Sequence, residues 1–253
     1  MRFTRREFMK LVSMGLAGLS CPGMASKVCA ASAGPIAGAS RGKSWAMVID
    51  LTACTDKDGC KDCIEACNRI HNIPRFTDVK RQIRWIWNSA YEELFPEQST
   101  HVRQELRGKQ ILALCNHCEN PPCVLVCPTK ATFKRADGIV MMDYHRCIGC
   151  RYCMAACPYG ARSFNWQDPR PFIQNIDLTY PTRTRGVVEK CNFCEERLAR
   201  NLIPACVEAC KEKGLFFGDL NDAGSNVRKL LSKRYAMQRK PELGTRPKVF
   251  YLV

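Results

Sequence analysis

The apolar positions of this 253-residue chain fall in short runs separated by polar loops and cysteines. Trp45 to Leu51 and Leu215 to Phe217 read as short strands able to pair with one another. Ala131 to Arg135 and Ile139 to Met142 flank Ala136-Asp137-Gly138, and an Asp-Gly between two strand-like runs predicts a hairpin. Near the C-terminus, Val227, Leu230 and Leu231 fall at helical spacing, and Val249 to Leu252 reads as a strand. Elsewhere the helical stretches are short, beginning near Cys63, Cys153 and Cys206. No run approaches the roughly 18 to 20 consecutive apolar residues of a membrane span.

The first residues follow a different logic. Thr4-Arg5-Arg6-Glu7-Phe8-Met9-Lys10 is a twin-arginine pattern, with an apolar run from Leu11 to Leu19 and small residues beyond. That order predicts a twin-arginine (Tat) signal peptide over residues 1–33 and export of a folded protein to the periplasm. Small-residue cleavage sites lie at Val28-Cys29-Ala30, Ala31-Ser32-Ala33 and Ala37-Gly38-Ala39. Cys21 and Cys29 are expected to leave with the leader.

Composition then singles out one residue type. Hydrophobic residues make up 46% and charged residues 25%, which is ordinary for a globular protein and excludes disordered or fibrous classes. Cysteine is far from ordinary, at 18 residues. The net charge of +15 invites nucleic acid or an anionic membrane as partner until the cysteines are explained.

Outside the leader the cysteines form four quartets: Cys54, Cys60, Cys63, Cys67; Cys115, Cys118, Cys123, Cys127; Cys147, Cys150, Cys153, Cys157; and Cys191, Cys194, Cys206, Cys210. Pro128 and Pro158 follow the second and third. The third is the bacterial ferredoxin run, whose first three cysteines hold one [4Fe–4S] cluster while the fourth reaches a neighbouring cluster. Two-residue gaps wrap a loop around a cube, and the three-residue step sets the last thiol one helical turn on, aimed away. Zinc sites favour two separated pairs, which only the fourth quartet imitates, and disulfides require no repeated spacing. Each oxidised cluster with its thiolates carries about −2, so four of them offset much of the basic excess and weaken the nucleic-acid reading.

The expected ligands are therefore crossed. Cluster 1 takes Cys54, Cys60, Cys63 and Cys210; cluster 2 takes Cys191, Cys194, Cys206 and Cys67. Cluster 3 takes Cys115, Cys118, Cys123 and Cys157; cluster 4 takes Cys147, Cys150, Cys153 and Cys127. The fold class is α+β: an inner ferredoxin-like unit at 111–164 and a discontinuous outer unit from 44–73 and 186–220. Insertions at 74–110 and 165–185 and a tail at 221–253 complete the chain. The first insertion carries Arg81, Arg84, Trp85, Trp87 and Tyr91, a mixture that reads as packing or protein contact. His117 is expected in packing or beside a ligand, and Lys190, Arg146 and Arg151 adjoin ligating cysteines as candidates for tuning potentials. There is no nucleotide fingerprint, no nucleophile–base–acid arrangement and no acid–base pair, so no catalytic residue is expected. A small-molecule reductase acting at one cluster would need an incompletely ligated iron, and sixteen cysteines leave none.

The ordered quartets, with Cys-Asn-His-Cys-Glu-Asn-Pro-Pro-Cys at 115–123 and Gly186-Val187-Val188-Glu189-Lys190-Cys191, resemble the four-cluster electron-transfer subunits of the DMSO reductase superfamily. Within it, several features are most similar to DsrO-type subunits of DsrMKJOP complexes. They are the expanded first quartet, Trp85-Ile86-Trp87, Tyr144-His145-Arg146-Cys147 and Pro241-Glu242-Leu243-Gly244-Thr245. The five-residue first gap departs from the usual family spacing of two. The resemblance implies a periplasmic relay of single electrons in sulfur or sulfate respiration. Its implied partners are an NrfD-like integral membrane subunit, a multihaem cytochrome c and further membrane redox subunits. The alternative is an iron–sulfur subunit of a molybdopterin-dependent reductase of polysulfide, thiosulfate or tetrathionate, or of a periplasmic hydrogenase.

Overall fold

The computed structural model describes residues 42–54, 60–98 and 104–253. The expected twin-arginine leader, with Cys21 and Cys29, lies outside the described residues. From the start of the described chain run β1 (Trp45–Asp50), α1 (Leu51–Cys54), α2 (Asp62–Ile70), β2 (Ile86–Ala90), α3 (Tyr91–Leu94), β3 (Gln110–Leu114) and α4 (Pro122–Leu125). The hairpin strands β4 (Thr132–Lys134) and β5 (Val140–Met142) follow, then α5 (Tyr152–Ala155), β6 (Ser163–Phe164) and β7 (Val188–Glu189). Last come α6 (Glu195–Leu198), α7 (Ala205–Glu208), β8 (Leu215–Asp219), α8 (Asn226–Lys233), β9 (Ala236–Met237) and β10 (Val249–Leu252).

Strand pairing arranges these elements as a ring. β2 pairs antiparallel with β3, β4 with β5, and β6 with β7, while β8 returns to pair antiparallel with β1. Each cysteine quartet falls between the strands of one segment: β1 to β2, β3 to β4, β5 to β6, and β7 to β8. Helix packing then couples the segments crosswise, α2 against α7 and α4 against α5. The first segment is thereby joined to the fourth and the second to the third. The two insertions belong to the seams of this ring, because β2 lies within the first and β7 follows the second.

β1 is apolar at nearly every position because it is an inner strand, in the order β8-β1-β10-β9, covered on both faces. Ala46 and Val48 pack with Val227 and Leu252 under α8, whereas Met47 and Ile49 face the main core with Val249 and Tyr251. Burying a side chain such as Val227 or Leu252 stabilises the fold by about 1.5–3 kcal/mol. Ser225 caps α8 by accepting from the Arg228 N–H at 3.2 Å. Gly218 lets α8 approach closely, since a β-carbon there would lie 3.2 Å from Val227 Cγ2.

The tail is therefore structural. Its last strand β10 lies parallel to β1, with Met47 opposite Val249 and Asp50 opposite Leu252. The Asp-Gly turn closes the hairpin as its chemistry requires: Gly138 has φ +82°, its N–H donates to Arg135 O, and Asp137 accepts from Ile139 N–H at 3.2 Å. Among the described residues, no helix is long and apolar enough to cross a membrane.

Candidate iron–sulfur centre

Left-handed backbone shapes the cysteine loops. His117, Gly149, Arg151 and Phe193, each set between two cysteines of a quartet, have φ of +41°, +71°, +63° and +57°. Such residues reverse the local curvature and turn successive N–H groups inward, an arrangement suited to negative sulfur. Phe193 N–H lies 3.4 Å from Cys191 Sγ and Thr132 N–H lies 3.5 Å from Cys127 Sγ. Only at Gly149 does space forbid a side chain, because a β-carbon would sit 2.5 Å from Gly186 O. The third cysteine of each quartet lies in a helix: Cys63 in α2, Cys123 in α4, Cys153 in α5 and Cys206 in α7. The fourth follows in the same helix for Cys67, and just past the helix end for Cys127, Cys157 and Cys210.

All sixteen described cysteines are free thiols. Their electrostatic neighbours cross between quartets. Burial pushes Cys63 up to about 12, with Cys54, Cys60 and Cys210 adding to the effect. Burial also holds Cys67 well above the usual thiol value, aided first by Cys191, Cys194 and Cys206. Cys118 is pushed up to about 12 by burial, with Cys115, Cys123 and Cys157 as its thiol neighbours. Cys153 is raised by burial, and Cys147 and Cys123 are its thiol neighbours. Cys127 behaves differently: burial raises it, but hydrogen bonds from Thr132, Thr129 and Ala131 outweigh burial and lower it.

Buried thiols crowded in fours are poor places for bare thiolates, since desolvation and mutual repulsion both act against ionisation. A cationic iron core removes that penalty, so the donor chemistry fits [4Fe–4S] ligation. The groups also adjoin one another in space, one after the next. Cys63 neighbours Cys206, Cys191 neighbours Cys115, and Cys153 neighbours Cys123.

The candidate tuning residues divide. Lys190 is buried, and its Nζ donates to Val140 O and Cys191 O. His117 is fully buried, accepts from Val140 N–H at 3.1 Å and stacks on Phe193 at 3.7 Å, where the second and fourth quartets meet. Arg146 instead pairs with Asp143 at the surface, and Arg151 lies over Phe164 and Trp166. Of the first insertion's residues, Trp85 is buried, stacked on His71 at 4.3 Å, and donates to Glu189 at 3.0 Å. Arg84 lies over the half-buried Trp87, and Tyr91 is in the core.

Three polar features carry no motif and are invisible to spacing. His71 places Nδ1 3.5 Å from Cys67 Sγ and Nε2 3.0 Å from Glu196. Arg183 and Glu189, both buried, form an ion pair at 2.7 Å, and Arg183 also donates to the carbonyls of His71 and Asn72. Arg162 is buried beside Cys123 and Cys153. A charged residue inside an apolar segment next to a quartet was the available signal for Arg162.

Residues 110–171 and 146–215 match two families, each described as a 4Fe–4S dicluster domain. The chain is 42% identical over 229 residues to the Hdr-like menaquinol oxidoreductase iron–sulfur subunit 1 of Archaeoglobus fulgidus, covering 83% of each. It is 36% identical to a tetrathionate reductase subunit of Salmonella typhimurium, across 98% of this chain and 88% of that protein. A polysulfide reductase component of Wolinella succinogenes is 36% identical, across 82% and 93% respectively. With its cysteines gathered crosswise and its dicluster segments matched, this chain belongs to the family of [4Fe–4S] electron-transfer subunits of larger oxidoreductase complexes.

Proposed function

We propose that the chain relays single electrons through four [4Fe–4S] clusters, ligated in the crossed scheme, between a quinone-interacting NrfD-like membrane subunit and other redox subunits. Bound clusters supply the reversible one-electron chemistry. The protein contributes ligands, burial, inward N–H groups and spacing. The observation that carries the proposal is the crossed gathering of thiols, in which Cys67 neighbours Cys191, Cys194 and Cys206 while Cys118 neighbours Cys157. The junctions Cys63–Cys206, Cys191–Cys115 and Cys123–Cys153 support a line of four, running from cluster 1 through clusters 2 and 3 to cluster 4.

The ends of the line are the more open groups. Cys60 is exposed, and at the other end Leu125, Ile148 and Tyr152 are exposed beside Cys127, Cys147, Cys150 and Cys153. Apolar side chains left exposed around a ligand loop suit a protein partner. The relative named as a menaquinol oxidoreductase subunit supports a quinone-linked complex; the form of it proposed for this chain is a complex of the DsrMKJOP kind, with a multihaem cytochrome among the partners. Relatives named for tetrathionate and polysulfide reductases support the second reading, service to a molybdopterin-dependent reductase. The leader expected at 1–33 supports a periplasmic location, with attachment to the membrane through partners.

Iron and acid-labile sulfide analysis combined with a redox titration tests the proposal. Sixteen irons, sixteen sulfides and four one-electron transitions are expected, from four thiols for each of four clusters. Twelve irons or fewer in fully loaded protein contradicts it.

A further inference from the structure

Arg162 is 5% exposed, and its surroundings differ from those of Lys190 and Arg183, two other buried cations close to the quartets. Lys190 spends its ammonium on two backbone carbonyls, and Arg183 spends its guanidinium on Glu189 and backbone carbonyls. Among the described residues, Arg162 meets no carboxylate. One terminal nitrogen, Nη1, donates to Thr132 Oγ1 at 3.1 Å, and the other, Nη2, is buried with no hydrogen-bond partner. Nη1 also reaches Met142 Sδ at 3.8 Å, and Met142 packs with Cys123 and Cys153 in one buried cluster, so the guanidinium lies beside both thiols, with Cys115 and the Lys190 ammonium also close enough to feel its charge. Those two cysteines belong to different groups, Cys123 with Cys118 and Cys157, and Cys153 with Cys147. The guanidinium therefore stands at the junction of two groups, with a donor to spare.

We infer that Arg162 is a positioning residue for two clusters at once: its guanidinium bridges the sulfur ligands of clusters 3 and 4 and raises both reduction potentials. This rests on the four-cluster reading above. Arginine stays protonated at every physiological pH, so the charge is permanent. Adding an electron makes a cluster more negative by one unit, and a buried cation beside it stabilises that reduced form more than the oxidised one. N–H donors to cluster sulfur act in the same direction. The cation also screens the repulsion between two neighbouring reduced clusters. Thr132 fixes the fork through Nη1, and its own N–H reaches Cys127 Sγ, a ligand of cluster 4. The sequence places Arg162 on the stretch leading from Cys157 into β6, so one short segment supplies a ligand to cluster 3 and the cation between 3 and 4.

The test is a potentiometric titration of the cluster-loaded protein, read by electron paramagnetic resonance, for wild type, Arg162→Gln and Arg162→Lys. In Arg162→Gln two of four transitions move to lower potential. At a fixed ambient potential the reduced-to-oxidised ratio of those clusters falls about tenfold, equivalent to 59 mV for a one-electron couple. The other two transitions stay in place. Arg162→Lys, which keeps a cation without the planar fork, recovers part of the shift. Sixteen irons with four unmoved transitions, or with all four moved alike, overturn the inference alone. A wild-type iron count short of sixteen overturns the four-cluster reading and takes this inference with it. If Arg162→Gln does not hold its clusters, wild-type protein carrying arginine labelled with 15N in the guanidino group decides. Hyperfine coupling from that nitrogen to two reduced clusters is expected, and its absence overturns the bridge.

Discussion

Glu189→Ala is expected to be among the most damaging single changes outside the cysteines. The carboxylate is fully buried, accepts from Trp85 Nε1 and Asn165 Nδ2, and pairs with the buried Arg183. Removing it leaves a guanidinium uncompensated in the interior, which costs about 3–5 kcal/mol. The Trp85 indole N–H loses its partner as well, a further cost of about 1–3 kcal/mol that overlaps the first. At roughly 2–4 °C per kcal/mol for a chain of this size, a loss of about 4 kcal/mol lowers the melting temperature by roughly 8–16 °C. The assay is thermal unfolding by circular dichroism, with cluster bleaching followed at visible wavelengths. Because Arg183 also holds the carbonyls of His71 and Asn72, just past Cys67, cluster 2 should bleach first. The double variant Glu189→Leu/Arg183→Met removes both charges and should be less destabilised than Glu189→Ala alone. A Glu189→Ala loss under about 1 kcal/mol, or a double variant worse than the single, refutes this view of the seam.

Other outcomes follow from single residues. Gly149→Ala forces a β-carbon against Gly186 O at a positive φ, so it should abolish or broaden the resonance signal of cluster 4 and spare the rest. Glu119 is held at about 2, first by a hydrogen bond from Lys134 and then by one from Lys248. A depressed carboxyl stabilises fully above its unfolded value of 4.5 and loses that contribution only as pH falls toward 2. Glu119→Gln should therefore lower the melting temperature equally from pH 5.5 to 8, and a gap that narrows within that window contradicts the assignment. Changing Arg5 and Arg6 together to Lys should retain cluster-loaded protein in the cytoplasm, measured by cell fractionation; undiminished periplasmic arrival removes the export proposal.

The cysteine quartets were legible because ligand spacing is a local property, and so was the Asp137-Gly138 hairpin, whose turn demands a positive φ. The pairing of β1 with β8 could be anticipated from two apolar runs flanking the first and last quartets. The parallel entry of β10 beside β1 could not, because a strand's partner depends on long-range packing and leaves no periodic trace. The insertions looked like additions, yet the first contains β2 and the second runs into β7, and Trp85 of the first donates to Glu189, which pairs with Arg183 of the second. Arg146 and Arg151 sit next to ligands in sequence but turn to Asp143 and to aromatic rings. Arg162, five residues past Cys157, is instead buried beside Cys123 and Cys153. Sequence adjacency reports where a backbone is, and a long side chain goes where its charge is best satisfied.

Anomalous diffraction at the iron edge, from anaerobically grown crystals of the loaded protein, locates every cluster and its ligands at once. Four iron centres in a line are expected, with Cys157 on the cube held by Cys115, Cys118 and Cys123, and Cys67 on the cube held by Cys191, Cys194 and Cys206. Density that joins Cys157 to Cys147, Cys150 and Cys153, or fewer than four centres, would contradict the crossed relay.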